Sequence, residues 1–323
     1  MNDKIKGFLK AIPIPICGLI LGTVSLGNLL FSEGFRGIGT LFCLIGSFIM
    51  LLFVMKLLFT LKETLADLRN PIIASVAPTF TMAWMVICVF LNRLFPGSLI
   101  VSVIWLLSII VHLGLMLYFI AAHIFPVKVT LECIYPSWFI TFVGIGVIPN
   151  TSEVFVKELG EAVIWLALGT YLILLPIIIK RLAHPKKMED AAIPLITILT
   201  APGSLCLAGY LSVFKDASLP VVLSLMVLSQ LIYFGIVIYL RKMLKVGFYP
   251  SYAAFTFPMV ISATAIFKVS HFFAGSPTLS RITELLSIFE TGVAILVVCY
   301  VLVTYVLHLR NQAKLLHLKG EYE

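Results

Sequence analysis

The sequence predicts an all-α integral membrane protein, with ten transmembrane helices arranged as five parallel helical-hairpin repeats around a central pore. The odd-numbered helices are predicted to form an inner ring and the even-numbered helices an outer ring. Three observations lead to this prediction: a very apolar composition, ten apolar runs long enough to span a bilayer, and prolines that recur in every second run. The whole chain, residues 1–323, is predicted to be a single transmembrane domain.

The composition is far from that of a soluble protein. Of the 323 residues, 61% are hydrophobic and 12% are charged, and the mean hydropathy is +1.10. Soluble domains have about half their residues apolar and about a quarter charged. The composition therefore excludes a cytosolic enzyme, a nucleic-acid-binding protein and a disordered scaffold. The net charge of +8 is attributed to Lys and Arg in cytoplasmic loops.

Ten apolar runs follow one another along the chain. A helix that spans the bilayer needs about 20 apolar residues, and these runs are too continuous for the alternating strands of a membrane barrel. Every backbone N–H in the bilayer needs a partner, and a helix supplies it within the segment. The predicted crossings lie near residues 11–31, 37–60, 71–92, 98–122, 134–151, 160–180, 192–213, 218–240, 250–270 and 285–309.

Lys and Arg fall unevenly on the two sides of these crossings. Seventeen lie at the termini and in the loops of the same side, and six lie on the other side. Because Lys and Arg are concentrated in cytoplasmic loops, both termini are predicted to be cytoplasmic. The protein is expected to be a multi-pass protein of the plasma or inner cell membrane, in contact with lipid.

Prolines recur with a period close to two crossings. Ten of the 16 prolines lie in odd-numbered crossings, and the first prolines of successive pairs are 58, 65, 58 and 56 residues apart. The pairs are Pro13 and Pro15, Pro71 and Pro78, Pro136 and Pro149, Pro194 and Pro202, and Pro250 and Pro258. A repeat of two crossings re-enters the membrane in the same direction, so the copies are parallel and can close into a ring.

The odd crossings are predicted to line the axis of this ring. A proline within a helix frees a backbone carbonyl, which is costly in hydrocarbon unless protein or water satisfies it. The odd crossings also carry small and hydroxyl-bearing residues, whereas the even crossings are richer in Leu, Ile and Val. The residues expected to line or kink the pore are Pro15, Pro78, Thr79, Gly144, Pro202, Ser204, Thr256 and Pro258.

The odd crossings contain few charged residues, so the predicted pore is neutral. Glu153 and Lys268 lie towards the predicted outer ends of odd crossings, and Lys56, His112 and Glu290 lie in even crossings. His112 is either a proton relay or a packing residue, and Glu290 either pairs with Lys268 or faces water. A neutral path in a basic protein favours anions over cations.

The sequence gives no sign of catalytic chemistry. It contains no Asp-rich or paired-carboxylate cluster, no phosphate-binding glycine loop and no Cys-x-x-Cys pair. No enzyme activity, cofactor or metal is therefore predicted.

One phenylalanine stands at mid-depth in the ninth crossing. Phe257 immediately precedes Pro258, and a proline kink can turn the preceding side chain towards the axis. An apolar group at that place can gate a pore by steric block or by dewetting. Its position also allows Phe257 simply to pack against a neighbour, and the spacing leaves both interpretations open.

The chain resembles the tellurite-resistance/dicarboxylate transporter family, which is also the superfamily of the plant slow anion channels of guard cells. The matching stretches occur in order over essentially the whole chain. They are residues 12–15 with Gly18, Leu21 and Gly22, residues 135–139, residues 201–202 with 208–212, and residues 254–259 with 262–265.

The resemblance implies five helical hairpins around a central pore, homotrimers with one pore per subunit, and occlusion of the pore by Phe257. It also implies transport of anions: chloride and nitrate in the plant channels, malate or sulfite in fungal relatives, and tellurite-related or dicarboxylate substrates in bacterial ones. Pro149 lies deeper in its crossing than the second proline of other repeats, so Gly144 is expected to supply that kink.

The predicted function is that of an anion channel or transporter, which passes small inorganic or organic anions through a neutral pore gated by Phe257. The alternative is a proton-coupled carrier of dicarboxylates such as malate, or tellurite or sulfite efflux. A membrane enzyme or structural subunit is the third hypothesis. Its densest ionisable cluster, residues 180–190, is explained by topology and lipid contact.

Overall fold

The computed structural model describes residues 3–126, 128–184 and 188–319. Lys186 and Lys187, which belong to the predicted cytoplasmic set of basic residues, lie outside the described residues. All the regular secondary structure of the described chain is helical, and short 3₁₀ segments join several of the α-helices.

The α-helices differ greatly in length. The first six are α1 (Asp3–Ala11), α2 (Ile16–Ser32), α3 (Arg36–Asp67), α4 (Pro71–Val76), α5 (Thr79–Leu94) and α6 (Leu99–Phe119), which a π-helical turn (Ile120–Ile124) extends. Next come α7 (Trp138–Phe142), α8 (Val147–Thr151), α9 (Lys157–Leu182), α10 (Thr200–Val213), α11 (Leu219–Met243), α12 (Thr256–Phe272) and α13 (Pro277–Lys319). The 3₁₀ segments are Leu131–Cys133, Gly144–Gly146, Ser152–Val154, Asp190–Leu199 and Pro250–Phe255.

Eight helices of the described chain are long and apolar enough to cross a membrane, and the bent pair α1–α2 raises the number to nine. The predicted fifth crossing is not one continuous helix. It consists of α7, a 3₁₀ turn at Gly144–Gly146, α8 and a second 3₁₀ turn. Two glycines and Pro149 within a few residues weaken an α-helix there, because glycine costs backbone entropy and proline lacks an N–H.

The prolines of the odd crossings stand where one helical piece gives way to the next. Pro15 and Pro78 are the N-cap residues of α2 and α5, and Pro202 and Pro258 are the third residues of α10 and α12. Pro78, Pro202 and Pro258 still lie inside the longer helical spans Pro71–Leu94, Asp190–Val213 and Pro250–Phe272. In the first turn a proline lacks an N–H that has no partner within its own α-helix anyway, so the chain can change direction cheaply. The angle between α1 and α2 is 78°.

Burial divides the long elements into two classes. The most apolar stretches of Pro71–Leu94, Asp190–Val213 and Pro250–Phe272 are 72%, 83% and 78% buried. The corresponding stretches of α3, α6 with its π-turn, α9, α11 and α13 are only 22–28% buried. In the second class a wide apolar face is left uncovered, as expected for helices that contact lipid.

The well-buried elements contact one another in cyclic order. Helix α2 packs against α5, α5 against α8, α8 against α10, α10 against α12, and α12 again against α2. Each of them also packs against the long helix that follows it, which is α3, α6, α9, α11 or α13. Side chains that point to the middle of this cycle therefore come from five separate parts of the chain.

The amphipathic helix α1 lies outside this cycle, against α3. Lys56 of α3, which the sequence placed in an even crossing, is buried and donates from Nζ to the carbonyl oxygen of Lys10 at 3.1 Å. The Lys10 ammonium lies 2.6 Å from a carboxylate oxygen of Glu63. These contacts satisfy the end of α1 and hold it against α3.

Candidate functional site

A small cavity lies among α2, α4, α5, α7, α10 and α12 and the 3₁₀ segments beside them. Its volume is about 80 Å³, and its lining side chains are apolar except for Thr79 and Ser251. We call it the apolar cavity. The lining includes six of the residues that the sequence singled out: Pro15, Thr79, Gly144, Pro202, Phe257 and Pro258. The Thr79 hydroxyl donates to the carbonyl oxygen of Val76 at 2.7 Å, so its proton is directed at the backbone.

Three other residues predicted to line or kink the pore do not line this cavity. They are Pro78, Ser204 and Thr256, of which the last two are fully buried. The Thr256 hydroxyl lies 2.7 Å from the carbonyl oxygen of Ala253 and 3.1 Å from that of Gly18. Thr256 thus links α12 to α2, next to Phe257.

Close approach of two helices positions Phe257. A Cβ atom on Gly22 of α2 would lie only 2.8 Å from the backbone nitrogen of Phe257. Glycine is therefore required at this contact, because any larger side chain would displace the backbone that carries Phe257. Phe257 itself is 7% exposed.

A second cavity of about 350 Å³ adjoins the first. Its lining contains charged and amide side chains from α2, α5, α8 and α12 and the 3₁₀ turn after α8, and we call it the charged cavity. The ionisable residues that line it are Arg93, Glu153 and Lys268. The expected neutral lining is therefore found in the apolar cavity only. The sequence had placed Arg93 outside the odd crossings, but α5 extends to Leu94 and carries it into the cavity.

Two residues line both cavities: Phe257 of α12 and Leu205 of α10. These two residues therefore lie at the boundary between the two spaces. Gly146 makes room for Leu205, since a Cβ there would lie 3.1 Å from Leu205 Cδ2. Leu205 was not singled out in the sequence. The signal available was its position three residues after Pro202, close to the spacing of one helical turn.

The cations of the charged cavity are held by specific contacts. The Arg93 guanidinium lies 4.3 Å from the ring centroid of Phe31, and its Nη1 is buried with no hydrogen-bond partner among the described residues. Lys268 Nζ donates to the Ser212 hydroxyl at 2.7 Å. Glu153 is exposed and interacts electrostatically with Lys268.

Two ionisable residues of the even crossings lie outside both cavities. The ring of His112 is fully buried, and its Nδ1 lies 2.8 Å from the Thr81 hydroxyl. Glu290 is also fully buried, and its carboxyl group lies beside the neutral polar side chains of Gln230 of α11 and Ser262 of α12. The expectation that Glu290 pairs with Lys268 or faces water is wrong, because Glu290 is fully buried where α12 packs against α13 and Lys268 contacts Ser212 instead.

Long helices with exposed apolar faces surround a cycle of buried ones with cavities in its middle, which is the arrangement of a multi-pass membrane transport protein. The chain matches the family model described as SLAC1, voltage-dependent anion channel, over residues 11–309, and it belongs to that family. It is also similar to an uncharacterized transporter of Methanocaldococcus jannaschii, at 23% identity over 84% of this chain and 88% of that protein. The family resemblance drawn from the sequence is confirmed, and the family implies transport of anions across a membrane.

Proposed function

We propose that this protein is a gated anion pore in which five parallel helical hairpins surround one path per subunit. Support comes from the cyclic contacts α2–α5–α8–α10–α12 and from the low burial of the helices that follow each of them. The broken fifth element, α7 with α8, counts as a crossing in this proposal.

The path runs from the charged cavity, past Phe257 and Leu205, into the apolar cavity. The observation that carries this proposal is that these two side chains line both cavities. In the present state they close the path. A space of about 80 Å³ with almost no polar side chains gives a dehydrated ion nothing to replace its water. The cost of transferring a bare ion into such a space is tens of kcal/mol in a low-dielectric medium.

The test is anion flux in reconstituted liposomes, with wild type beside Phe257→Ala and with chloride, nitrate, sulfite and malate in turn. Removal of the ring is expected to raise flux strongly, because it joins the two cavities. Phe267→Ala is the matched control: Phe267 lies on the same helix and lines the charged cavity but not the apolar one. The gate assignment is contradicted if a correctly folded Phe257→Ala shows no rise in anion flux, or if flux rises equally in Phe257→Ala and Phe267→Ala.

The same preparation distinguishes the alternative of a proton-coupled carrier for dicarboxylates such as malate. In that case simple anions do not leak through Phe257→Ala, and a proton gradient drives saturable malate uptake by the wild type. Tellurite or sulfite efflux would instead appear as selective movement of those oxyanions. The homotrimer and the plasma or inner membrane remain predictions. Mass measurement of the detergent-solubilised protein tests the first, and membrane fractionation tests the second.

A further inference from the structure

We propose that the charged cavity is a binding site for a small, singly charged oxyanion, held between Arg93 of α5 and Lys268 of α12. This inference rests on the proposed function, because it assigns a ligand to one end of the same path. The proposed ligand contacts, however, are Arg93 and Lys268 and not Phe257, and binding of an anion to them can be measured without any transport. Its volume of about 350 Å³ accommodates such an ion together with several water molecules.

Arg93 offers a positioned donor. Its guanidinium lies against the face of Phe31, 4.3 Å from the ring centroid, which orients the planar group. The Nη1 atom is buried and has no hydrogen-bond partner among the described residues. A buried cationic N–H without an acceptor is costly, and an oxyanion removes that cost by accepting its hydrogen bond. A guanidinium can donate parallel hydrogen bonds to two oxygens of one oxyanion, whereas a halide is a single atom and offers no such pair of acceptors.

Lys268 supplies the second charge. Its ammonium donates one hydrogen bond to the Ser212 hydroxyl at 2.7 Å, and that hydroxyl donates in turn to the carbonyl oxygen of Ala208, also at 2.7 Å. Ser212 therefore acts as an acceptor that holds the ammonium in place. An ammonium has three donors, so two remain for a ligand.

The neutral side chains of the cavity contribute less. The Asn150 amide donates to the carbonyl oxygens of Gly146 and Leu205, at 2.8 and 3.0 Å. The Thr264 hydroxyl donates to the carbonyl oxygen of Val260 at 2.9 Å. With these protons engaged by the backbone, the donors left for an anion are chiefly those of the two cations.

Glu153 sets the charge that the cavity can balance. It lines the same cavity as Arg93 and Lys268 and interacts electrostatically with Lys268. The three ionisable groups together carry a formal charge of +1. A singly charged oxyanion neutralises this site, whereas a doubly charged one is left with an excess negative charge beside the Glu153 carboxylate. Like charges in a partly buried site repel more strongly than in water.

The experiment is calorimetric titration of the purified, detergent-solubilised protein with nitrate and with sulfate at constant ionic strength. Nitrate is expected to bind and sulfate to bind several-fold more weakly. Arg93→Gln and Lys268→Gln are each expected to weaken nitrate binding by about tenfold or more, the size of one lost charge-assisted hydrogen bond. Glu153→Gln is expected to raise sulfate affinity relative to nitrate.

Two surface residues give matched controls. Arg36 lies 5.7 Å from the same Phe31 ring but is exposed and lines neither cavity, and Lys215 is an exposed lysine. Arg36→Gln and Lys215→Gln are expected to leave nitrate binding unchanged. Arg93→Lys keeps the charge and removes the planar fork, so it is expected to bind nitrate more weakly than wild type while folding as wild type does.

Unchanged nitrate affinity in folded Arg93→Gln and Lys268→Gln overturns the site, as does an equal loss in the two surface controls. If either variant is not monodisperse, Arg93→Lys decides the question. The result is independent of the gate: lost binding in Arg93→Gln with a silent Phe257→Ala retains this site and rejects the gated pore. A strong rise in anion flux in Phe257→Ala, together with unchanged nitrate binding in Arg93→Gln, retains the gated pore and rejects this binding site.

Discussion

Phe257 of α12 and Leu205 of α10 line both the apolar cavity and the charged cavity and so lie at the boundary between them. They lie 52 positions apart in the sequence and come together because α10 packs against α12. Each is held by a glycine on a neighbouring element: Gly22 lies against the backbone of Phe257, and Gly146 lies against the side chain of Leu205. The proposed gate is thus a pair of side chains whose positions depend on two close helix contacts.

Leu205→Ala is expected to raise anion flux in liposomes, though by less than Phe257→Ala, because it removes a smaller side chain from the same boundary. In the double variant, the effects are expected to be non-additive, since either truncation alone already opens the barrier. Leu207→Ala is the control, because Leu207 is a fully buried leucine of α10 that lines neither cavity. A rise in flux for Leu207→Ala equal to that for Leu205→Ala would sink this prediction.

Gly22→Ala is expected to destabilise the protein by about 1–3 kcal/mol, the usual cost of an added methyl group in a closely packed contact. The added Cβ would lie 2.8 Å from the backbone nitrogen of Phe257. The measurement is thermal unfolding in detergent. Gly114→Ala is the control: it lies within α6 with no atom within 4 Å of its added Cβ, so it should unfold at or above the wild-type temperature. An unchanged unfolding temperature for Gly22→Ala contradicts the close contact.

Glu290→Gln is expected to raise the unfolding temperature at neutral pH. Glu290 is fully buried beside the neutral side chains of Gln230 and Ser262, and a buried charge that faces only neutral groups is expensive. Glutamine keeps the shape and removes the charge. Glu284→Gln serves as the comparison, because Glu284 is exposed on the same helix and bonds Arg281 at 2.9 Å. A large loss of stability in Glu290→Gln would mean that the carboxylate has a favourable partner.

Glu33 is expected to make stability depend on pH. It follows α2 and accepts a 2.8 Å hydrogen bond from Thr291 of α13, and burial raises the pKa of its carboxyl group above the usual value. Glu284 and His271 line the same 930 Å³ cavity. Because the pKa is higher in the folded state, the stabilisation is complete below the ordinary pKa of glutamate, about 4.3, and is lost as pH rises through the raised value.

The unfolding temperature of wild type relative to Glu33→Gln tests this sign. The unfolding temperature of wild type minus that of Glu33→Gln is expected to be lower at pH 7.5 than at pH 4.5. Using the difference cancels the contributions of Glu284 and His271, which are present in both proteins. The same difference at the two pH values would contradict the raised pKa of Glu33.

The division between well-buried elements and elements with exposed apolar faces could be predicted from composition along the chain. The apolar stretches of three elements with paired prolines, Pro71–Leu94, Asp190–Val213 and Pro250–Phe272, are 72–83% buried, and those of the Leu-, Ile- and Val-rich helices between them are 22–28% buried. The reason is local: irregular backbone is tolerated in a membrane only where protein or water surrounds it. The position of Phe257 immediately before Pro258 is also a local feature of the sequence, and Phe257 lines the apolar cavity.

Other features were decided by the tertiary structure. The sequence by itself determined a multi-pass helical membrane protein with five proline-bearing buried elements, because apolarity and proline act on the chain locally. The partnership of Leu205 with Phe257, the entry of Arg93 and Lys268 into one cavity and the full burial of Glu290 depend on how each helix is rotated and how closely it approaches its neighbours. A helix that is apolar on every side has no periodic pattern to reveal its rotation. Contacts such as that of Gly22 with α12 set the rotation, and they exist only once the helices have packed.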